Sequence, residues 1–251
     1  MEEAVKKNKT ELPAKDFGGP LKVIGYTLLA FTLSQLVALV ILGSLYGILN
    51  LSDAATKSPV AQLAYVLLAE GFGVGFVYLV LRRRKYSLAD IGLARWPQWR
   101  DLKLSLLGFG AFYALLIATT VLVMFLIPSF DVDQAQDVGF DNLNTSLDKI
   151  IAFVSLVLLP PIGEEIIMRG YLYTGLRLRM RFVWAMVITS LLFGLAHLEF
   201  GNDTPLVWVA ALNTFILSLV LVYVRERSGA LYASIAIHMM NNSVAFIIHF
   251  L

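Results

Sequence analysis

Residues 104–127, LSLLGFGAFYALLIATTVLVMFLI, carry no charged side chain and are long enough to cross a bilayer as one helix. The hydrocarbon core is about 30 Å thick, and a helix rising about 1.5 Å per residue spans it with roughly 20 residues. Six further apolar stretches resemble this one and cover approximately 23–49, 59–81, 149–171, 182–199, 205–224 and 229–250. The sequence therefore predicts an all-α, polytopic membrane helix bundle with about seven transmembrane helices.

The composition supports this fold class. Of 251 residues, 58% are apolar and 15% are charged, and the mean hydropathy is +0.75. Ordinary soluble domains are about 45–50% apolar and about 25% charged. A water-soluble enzyme, a disordered chain and a nucleic-acid-binding module are therefore disfavoured, and the net charge of +2 is too small to indicate a polyanionic partner. The absence of cysteine excludes disulfides, thiolate zinc sites and cysteine nucleophiles.

The basic residues predict the orientation of the bundle. Most of them lie in the N-terminal segment and in three loops, at 82–103, 177–181 and 225–227. Only Lys57 and Lys149 fall on the opposite side, and Arg169 lies inside a span. Because short cytoplasmic loops carry an excess of Lys and Arg, we expect a cytoplasmic N-terminus and an external C-terminus.

A few polar residues lie inside the spans, where an ionisable side chain costs about 2.5–3.5 kcal/mol on insertion scales. Each is a functional candidate for that reason. The ionisable ones are Glu70, Glu164, Glu165, Arg169, His197 and His238, and the neutral ones are Asn213, Asn241 and Asn242. Glu70 has no evident partner in the sequence and is expected either to line a cavity or to pair with Arg169.

The densest group is Pro160-Pro161-Ile162-Gly163-Glu164-Glu165-Ile166-Ile167-Met168-Arg169-Gly170, in the fourth span. Glu165 precedes Arg169 by four residues, the favourable order for an ion pair on a helix. Glu164 is rotated by about 100° and cannot share that cation equally, which suits it to act as a general base. The two prolines are expected to kink or break the helix and to admit water.

The fifth and seventh spans bring histidines to a similar depth. At about 1.5 Å per residue, Glu164 lies about 20 Å from Arg177, and His197 lies about 24 Å from the basic loop before its span. His238 lies about 16 Å from the corresponding loop, and Asn241 and Asn242 share its helix face. Independent structural linkers would have no reason to agree in depth, so these groups are expected to form one site.

Convergent carboxylate, imidazole and carboxamide groups suit the hydrolysis of an acyl or peptide bond. Two alternatives stay open on the residues alone. Glu164, His197 and His238 could bind zinc, because one carboxylate and two imidazoles form a legitimate ligand set. The same polar residues could instead serve a non-enzymatic membrane protein as a proton relay or as contacts between helices.

Three motifs resemble those of a known family. Glu164-Glu165-x-x-x-Arg169, Phe193-x-x-x-His197 and His238-x-x-x-Asn242 are similar to the motifs of the CAAX type II prenyl endopeptidase and bacteriocin-processing (CPBP, or Abi) family. The resemblance covers roughly residues 150–246. It implies an intramembrane glutamic endopeptidase without a covalent intermediate and without a cofactor. Its substrate would be a peptide or a lipidated, CAAX-type protein in a lipid bilayer, with no nucleic acid involved.

The resemblance also implies a role for each site residue. Glu164 and His197 would activate water, and His238 with Asn242 would form the oxyanion hole. The spacing of the third motif selects Asn242 over Asn241.

Glu165 and Arg169 would hold the site together. The implied organisation is a cytoplasmic polar arm (1–20), N-terminal transmembrane helices (21–149) and catalytic helices (150–251) in one integral membrane unit. The implied location is a prokaryotic plasma membrane. A bacteriocin-immunity or scaffold protein without proteolytic activity is the alternative function.

Overall fold

The computed structural model describes residues 16–132, 134, 139–140, 143–198 and 207–251, so most of the predicted polar arm lies outside the described residues. Every regular element described is helical, which confirms the all-α fold class. The α-helices are, in chain order, α1 (Pro20–Leu49), α2 (Asp53–Thr56), α3 (Pro59–Arg83), α4 (Trp99–Leu126), α5 (Ser146–Phe153), α6 (Leu159–Glu165), α7 (Tyr173–Arg177), α8 (Phe182–Ala196), α9 (Trp208–Ser228) and α10 (Tyr232–Phe250). A short 3₁₀ turn, Leu88–Ile91, lies between α3 and α4.

Six helices in the described part of the chain are long and apolar enough to cross a membrane. One of them is the continuous helical run Ser146–Arg177, here called the central helix, which contains α5, α6 and α7. The fifth predicted span, 182–199, is corrected. Its helix, α8, has 15 residues and ends at Ala196, so at about 1.5 Å per residue it rises about 22 Å and is shorter than the other six. The last span is one unbroken helix in spite of its polar middle.

The central helix changes pitch on either side of the glutamates. Two π-helical stretches, Val154–Leu158 and Ile166–Leu172, flank α6. The helix continues through Pro160 and Pro161, so the predicted kink or break is corrected to a change of pitch on either side of α6. The wider π turns take up the strain without interrupting the helix.

The basic loops meet at one end of the bundle. Arg100 donates a hydrogen bond to the carbonyl of Arg227 (2.7 Å), and Arg177 pairs with Glu226 (3.0 Å). Arg179 pairs with Asp16, just before α1, at 3.1 Å. These contacts place three basic segments on the same side, which supports the predicted orientation.

Small residues let the first helices approach the central helix. A side chain at Gly73 would contact Ile167 as well as Ser34 and the carbonyl of Ala30 on α1. In the part of the chain that the structure describes, nothing lies within 4 Å of the corresponding positions of Gly71 and Gly75. Of these three glycines, Gly73 is therefore the one that permits close packing. This packing brings α3 against the part of the central helix that carries the glutamates.

Candidate active site

The core of the site is a buried ion pair within the central helix. Arg169 Nη1 lies 2.7 Å from Glu165 Oε1, and both side chains are fully buried. The i, i+4 spacing confirms the pairing predicted from the sequence. The guanidinium also lies 4.2 Å from the ring centroid of Phe193 on α8, in cation–π geometry. Arg169 therefore ties the central helix to the helix that carries His197.

His238 lies between the two glutamates. Its Nδ1 is 3.2 Å from Glu165 Oε1, and its Nε2 is 3.8 Å from Glu164 Oε2. Because Glu165 is ionised against Arg169, its carboxylate can only accept, and the hydrogen of His238 therefore sits on Nδ1. This contact fixes the orientation of the imidazole and aims Nε2 at Glu164.

Glu164 has the exposure and the missing partner expected of a reactive group. Its side chain is 15% exposed, whereas Glu165 is fully buried. Within the described ranges its Oε2 is buried and has no hydrogen-bond partner. The sequence predicted that Arg169 would serve Glu165 rather than Glu164, and the distances agree.

His197 follows the last residue of α8 and is half-buried. Its Nδ1 lies 2.8 Å from the carbonyl oxygen of Phe193, which can only accept, so the hydrogen sits on Nδ1 and the lone pair on Nε2. The Phe193 ring contacts the rings of both His197 (4.7 Å) and His238 (5.8 Å). No hydrogen bond joins His197 to Glu164 among the described residues, so Phe193 is the link between the two histidines.

Asn242 is held by a carbonyl that the prolines leave without its usual partner. Its Nδ2 donates to the oxygen of Leu156 at 2.9 Å. That oxygen would accept from residue 160 in an α-helix or from residue 161 in a π-helix, and Pro160 and Pro161 both lack an N–H. The side chain of Asn242 thus satisfies a carbonyl at the start of the site.

Asn241 points elsewhere, although spacing alone did not separate it from Asn242. Its Oδ1 accepts from the hydroxyl of Tyr113 on α4 at 3.5 Å, and its Nδ2 donates to Asn242 Oδ1 at 3.4 Å. The structure therefore directs Asn242 toward the central helix and Asn241 toward α4.

Two further residues join the site. Glu70 on α3 lies against Gly163 and interacts electrostatically with Glu164. Among the described residues, the expected pairing of Glu70 with Arg169 is therefore not observed. Ser234 on α10 is fully buried near Glu165, and its hydroxyl donates to the carbonyl of Leu231 at 2.9 Å. Sequence reasoning missed Ser234, although it precedes His238 by four residues and Asn242 by eight, on one helix face.

The residues considered for zinc do not form a ligand set. Among the described residues, no group of three His, Asp or Glu side chains is arranged to hold a metal ion. His238 Nδ1 is engaged by Glu165, and His197 Nδ1 by the carbonyl of Phe193. We derive no step through zinc from this donor geometry.

Comparison with known families agrees with the geometry. Residues 146–244 match the family model described as Type II CAAX prenyl endopeptidase Rce1-like. The matched residues include the three motifs. The match contains all six predicted site residues and excludes α1 to α4, and it supports a CAAX-type intramembrane protease function in general terms. The multi-pass membrane character follows from the same match and the six apolar helices.

One curated relative carries no functional description. The "Uncharacterized 24.3 kDa protein" of Escherichia coli is 34% identical over 96 residues, which is 37% of this chain and 41% of that protein. The matched segment thus spans less than half the length of this relative. No solved structure matches the chain.

Proposed function

We propose that this protein is an intramembrane endopeptidase that uses Glu164 to activate water against a peptide bond of a membrane-associated substrate. The observation that carries the proposal is the Glu164 carboxylate. Its Oε2 is buried at bilayer depth, has no hydrogen-bond partner among the described residues, and lies 3.8 Å from His238 Nε2. A carboxylate placed in this way is suited to take a proton from water.

The nucleophile is a water molecule held between Glu164 and His197. His197 Nε2 carries a lone pair because its Nδ1–H donates to the Phe193 carbonyl, so Nε2 accepts one hydrogen of the water. Glu164 removes the other proton as the water oxygen attacks the scissile carbonyl carbon. This step forms the C–O bond and moves the carbonyl electrons onto the oxygen.

The oxyanion is stabilised by His238 and Asn242. His238 keeps one hydrogen on Nδ1, facing Glu165 Oε1, so donation from Nε2 requires the imidazolium form. Glu165 Oε1 accepts from Nδ1 at 3.2 Å and so holds the imidazole in the orientation that points Nε2 into the site. Asn242 Nδ2 uses one hydrogen on the Leu156 carbonyl and has a second one for the oxyanion.

Collapse of the tetrahedral intermediate completes the reaction. The C–N bond breaks, its electrons go to the leaving nitrogen, and the proton held by Glu164 is transferred to the amine. Glu165 and Arg169 keep His238 and Phe193 in place through contacts of 3.2 Å and 4.2 Å. The mechanism uses only side chains of this chain and needs no cofactor.

The substrate we propose is a prenylated CAAX-type protein or another membrane-associated peptide, cleaved in a prokaryotic plasma membrane. The family match supports this class, and the depth of the site in the bundle supports a substrate that reaches it from the bilayer.

The test is cleavage of a prenylated reporter peptide ending in Cys-a-a-X by protein reconstituted in liposomes. Glu164→Gln should lower kcat by about 10²–10⁴-fold, because the amide cannot accept the proton from water. Glu226→Gln is the matched control, since Glu226 lies at the basic end of the bundle with Arg177 and Tyr173. Equal activity of Glu164→Gln and wild type would refute the proposal.

The complete burial of Glu165 and Arg169 favours a second candidate, a membrane protein in which the polar cluster only holds helices together. That candidate predicts that Glu164→Gln unfolds in detergent as readily as Arg169→Ala. The endopeptidase predicts that Glu164→Gln keeps the wild-type Tm and loses activity, because Glu164 satisfies no buried cation.

A further inference from the structure

Glu70 is a carboxylate that no motif and no family match covers. It lies in α3, 12 residues before Arg82, and thus about 18 Å into the span at about 1.5 Å per residue. An acidic side chain at this depth is costly unless it has a function or a partner. The family match begins at residue 146, so this acid is supplied by the N-terminal half of the chain.

The Glu70 side chain reaches the site because residue 163 is glycine. A Cβ atom at position 163 would overlap Glu70 Oε2 and lie 2.9 Å from its Cδ. Gly163 immediately precedes Glu164, and the carboxylates of Glu70 and Glu164 interact electrostatically. The glycine therefore creates the space that brings a third carboxylate beside the proposed base.

Within the described part of the chain, the buried cation of the site, Arg169, is not available to Glu70. Arg169 is bound to Glu165 at 2.7 Å and packs on the Phe193 ring at 4.2 Å. Two neighbouring carboxylates in a low-dielectric region do not both ionise, so the pair of Glu70 and Glu164 holds one proton. In the imidazolium form that the proposed mechanism requires, the protonated Nε2 of His238 lies 3.8 Å from Glu164 Oε2 and makes the negative charge more stable on Glu164.

We propose that Glu70 is a positioning residue for the reaction: its protonated carboxyl donates a hydrogen bond to Glu164 and keeps Glu164 ionised and oriented toward the water. The inference rests on the proposed function of Glu164. Glu70 keeps its own proton throughout the cycle. The proton taken from water passes to Glu164 and then to the leaving amine, so the balance of the reaction is unchanged.

A first experiment needs no substrate. The infrared spectrum of the purified protein in lipid at neutral pH should contain the C=O stretch of a protonated carboxylic acid. This band should be lost in Glu70→Gln, while Glu226→Gln, which changes an acid at the basic end, should retain it. A band unchanged in Glu70→Gln would place the proton elsewhere and overturn the proposal.

A second experiment separates hydrogen bonding from packing. Glu70→Gln keeps a neutral donor and should retain kcat within about threefold on the reporter peptide. Glu70→Met fills the same space without a donor and should lower kcat by about 10- to 100-fold, with KM unchanged and Tm not reduced. A purely structural role predicts full activity for Glu70→Met, and that result, or equal losses in both variants, would overturn the proposal.

The two proposals fail in different ways. If Glu164→Gln retains activity, both the endopeptidase mechanism and the proposed role of Glu70 are wrong. If Glu164→Gln is inactive while Glu70→Met has wild-type kcat, the mechanism stands and only the role of Glu70 is wrong.

Discussion

The molecule contains two clusters of charged residues that differ in how fully their hydrogen-bonding groups are used. The membrane cluster lies at the middle of the bundle and consists of Glu164, Glu165, Arg169 and His238. The basic-end cluster lies where the basic loops meet and consists of Arg95, Asp101, Tyr173, Arg177 and Glu226. Both contain carboxylates paired with arginine, yet only the membrane cluster contains the proposed catalytic groups.

In the basic-end cluster, the carboxylates are well satisfied. Asp101 accepts two hydrogen bonds from Arg95, both at 2.6 Å, and one from the backbone N–H of Gln98. Glu226 accepts from the hydroxyl of Tyr173 at 2.5 Å and from Arg177 Nε at 3.0 Å. The hydrogen bond to Asp101 also raises the pKa of Arg95 above its usual value. These are contacts that hold loops to helices.

In the membrane cluster, several groups have no partner among the described residues. Glu164 Oε2, Glu165 Oε2 and two nitrogens of Arg169 are buried without a hydrogen bond. Unsatisfied polar groups in a low-dielectric region are costly, and a cluster that keeps them is arranged for something besides stability. The two clusters therefore differ in their unused hydrogen-bonding capacity, since both pair carboxylates with arginine.

The largest expected effect comes from removing the buried cation. Arg169→Met should destabilise the protein by about 3–5 kcal/mol, because it leaves Glu165 buried and uncompensated. Arg177→Met, in the basic-end cluster, should cost less than about 1 kcal/mol, because that pair is partly exposed. Unfolding midpoints in detergent measure both. Similar losses would mean that burial does not distinguish the two clusters.

A smaller effect is expected on activity at Asn242. Asn242→Ala should lower kcat by about 10²–10³-fold, because it removes one proposed oxyanion donor. Asn241→Ala is the matched control, since that side chain faces Tyr113 and should leave kcat within about threefold. Cleavage of the reporter peptide compares them, and an equal loss in both variants would contradict the assignment of Asn242.

Much of this arrangement could be predicted from the sequence. The lengths of the apolar stretches predicted the membrane helices, because a helix must be long enough to cross the bilayer. The depth of each polar residue along its span predicted that the residues of the three motifs lie together. The Glu165–Arg169 pair followed from helical spacing alone. These predictions rest on distances along single helices, and the fold keeps those helices.

The rest could not be predicted because it depends on contacts between helices. Hydropathy does not reveal a change from α to π pitch, so the helix was expected to break at its prolines. Glu70 had no assignable partner because its neighbour, Gly163, lies on another helix. The helix α8 ends at Ala196, three residues before the predicted bound at 199, because hydropathy along the chain does not locate the last turn of a helix.

At the basic end, Arg95→Ala should have an intermediate effect on stability. Asp101 is 3% exposed and would lose two charge-assisted hydrogen bonds, worth together about 1.5–3 kcal/mol, while keeping the one from Gln98. The Tm in detergent should fall while kcat on the reporter peptide is unchanged. A loss of kcat at unchanged stability would show that the two clusters are coupled.

The smallest effect is expected at Asp16. The backbone N–H of Gly18, followed by Arg179, lowers the pKa of Asp16 below its ordinary value of 3.8. A lowered folded-state pKa contributes stability above pH 3.8 that is lost as the pH falls through the folded value. Asp16→Asn should therefore reduce Tm slightly at neutral pH and not at strongly acidic pH. A difference that grows on acidification would reverse the sign and refute this account.

The short α-helical segment between the two π-helical stretches also makes the site sensitive to the length of the coding sequence. Deleting one residue from α6 ahead of Glu164, at constant α pitch, would rotate everything before it by about 100° relative to Glu164. The Leu156 carbonyl would then turn away from Asn242. Single-codon deletions, which surface loops tolerate, should therefore be selected against in this segment, and insertions and deletions among functional homologues should avoid residues 159–163.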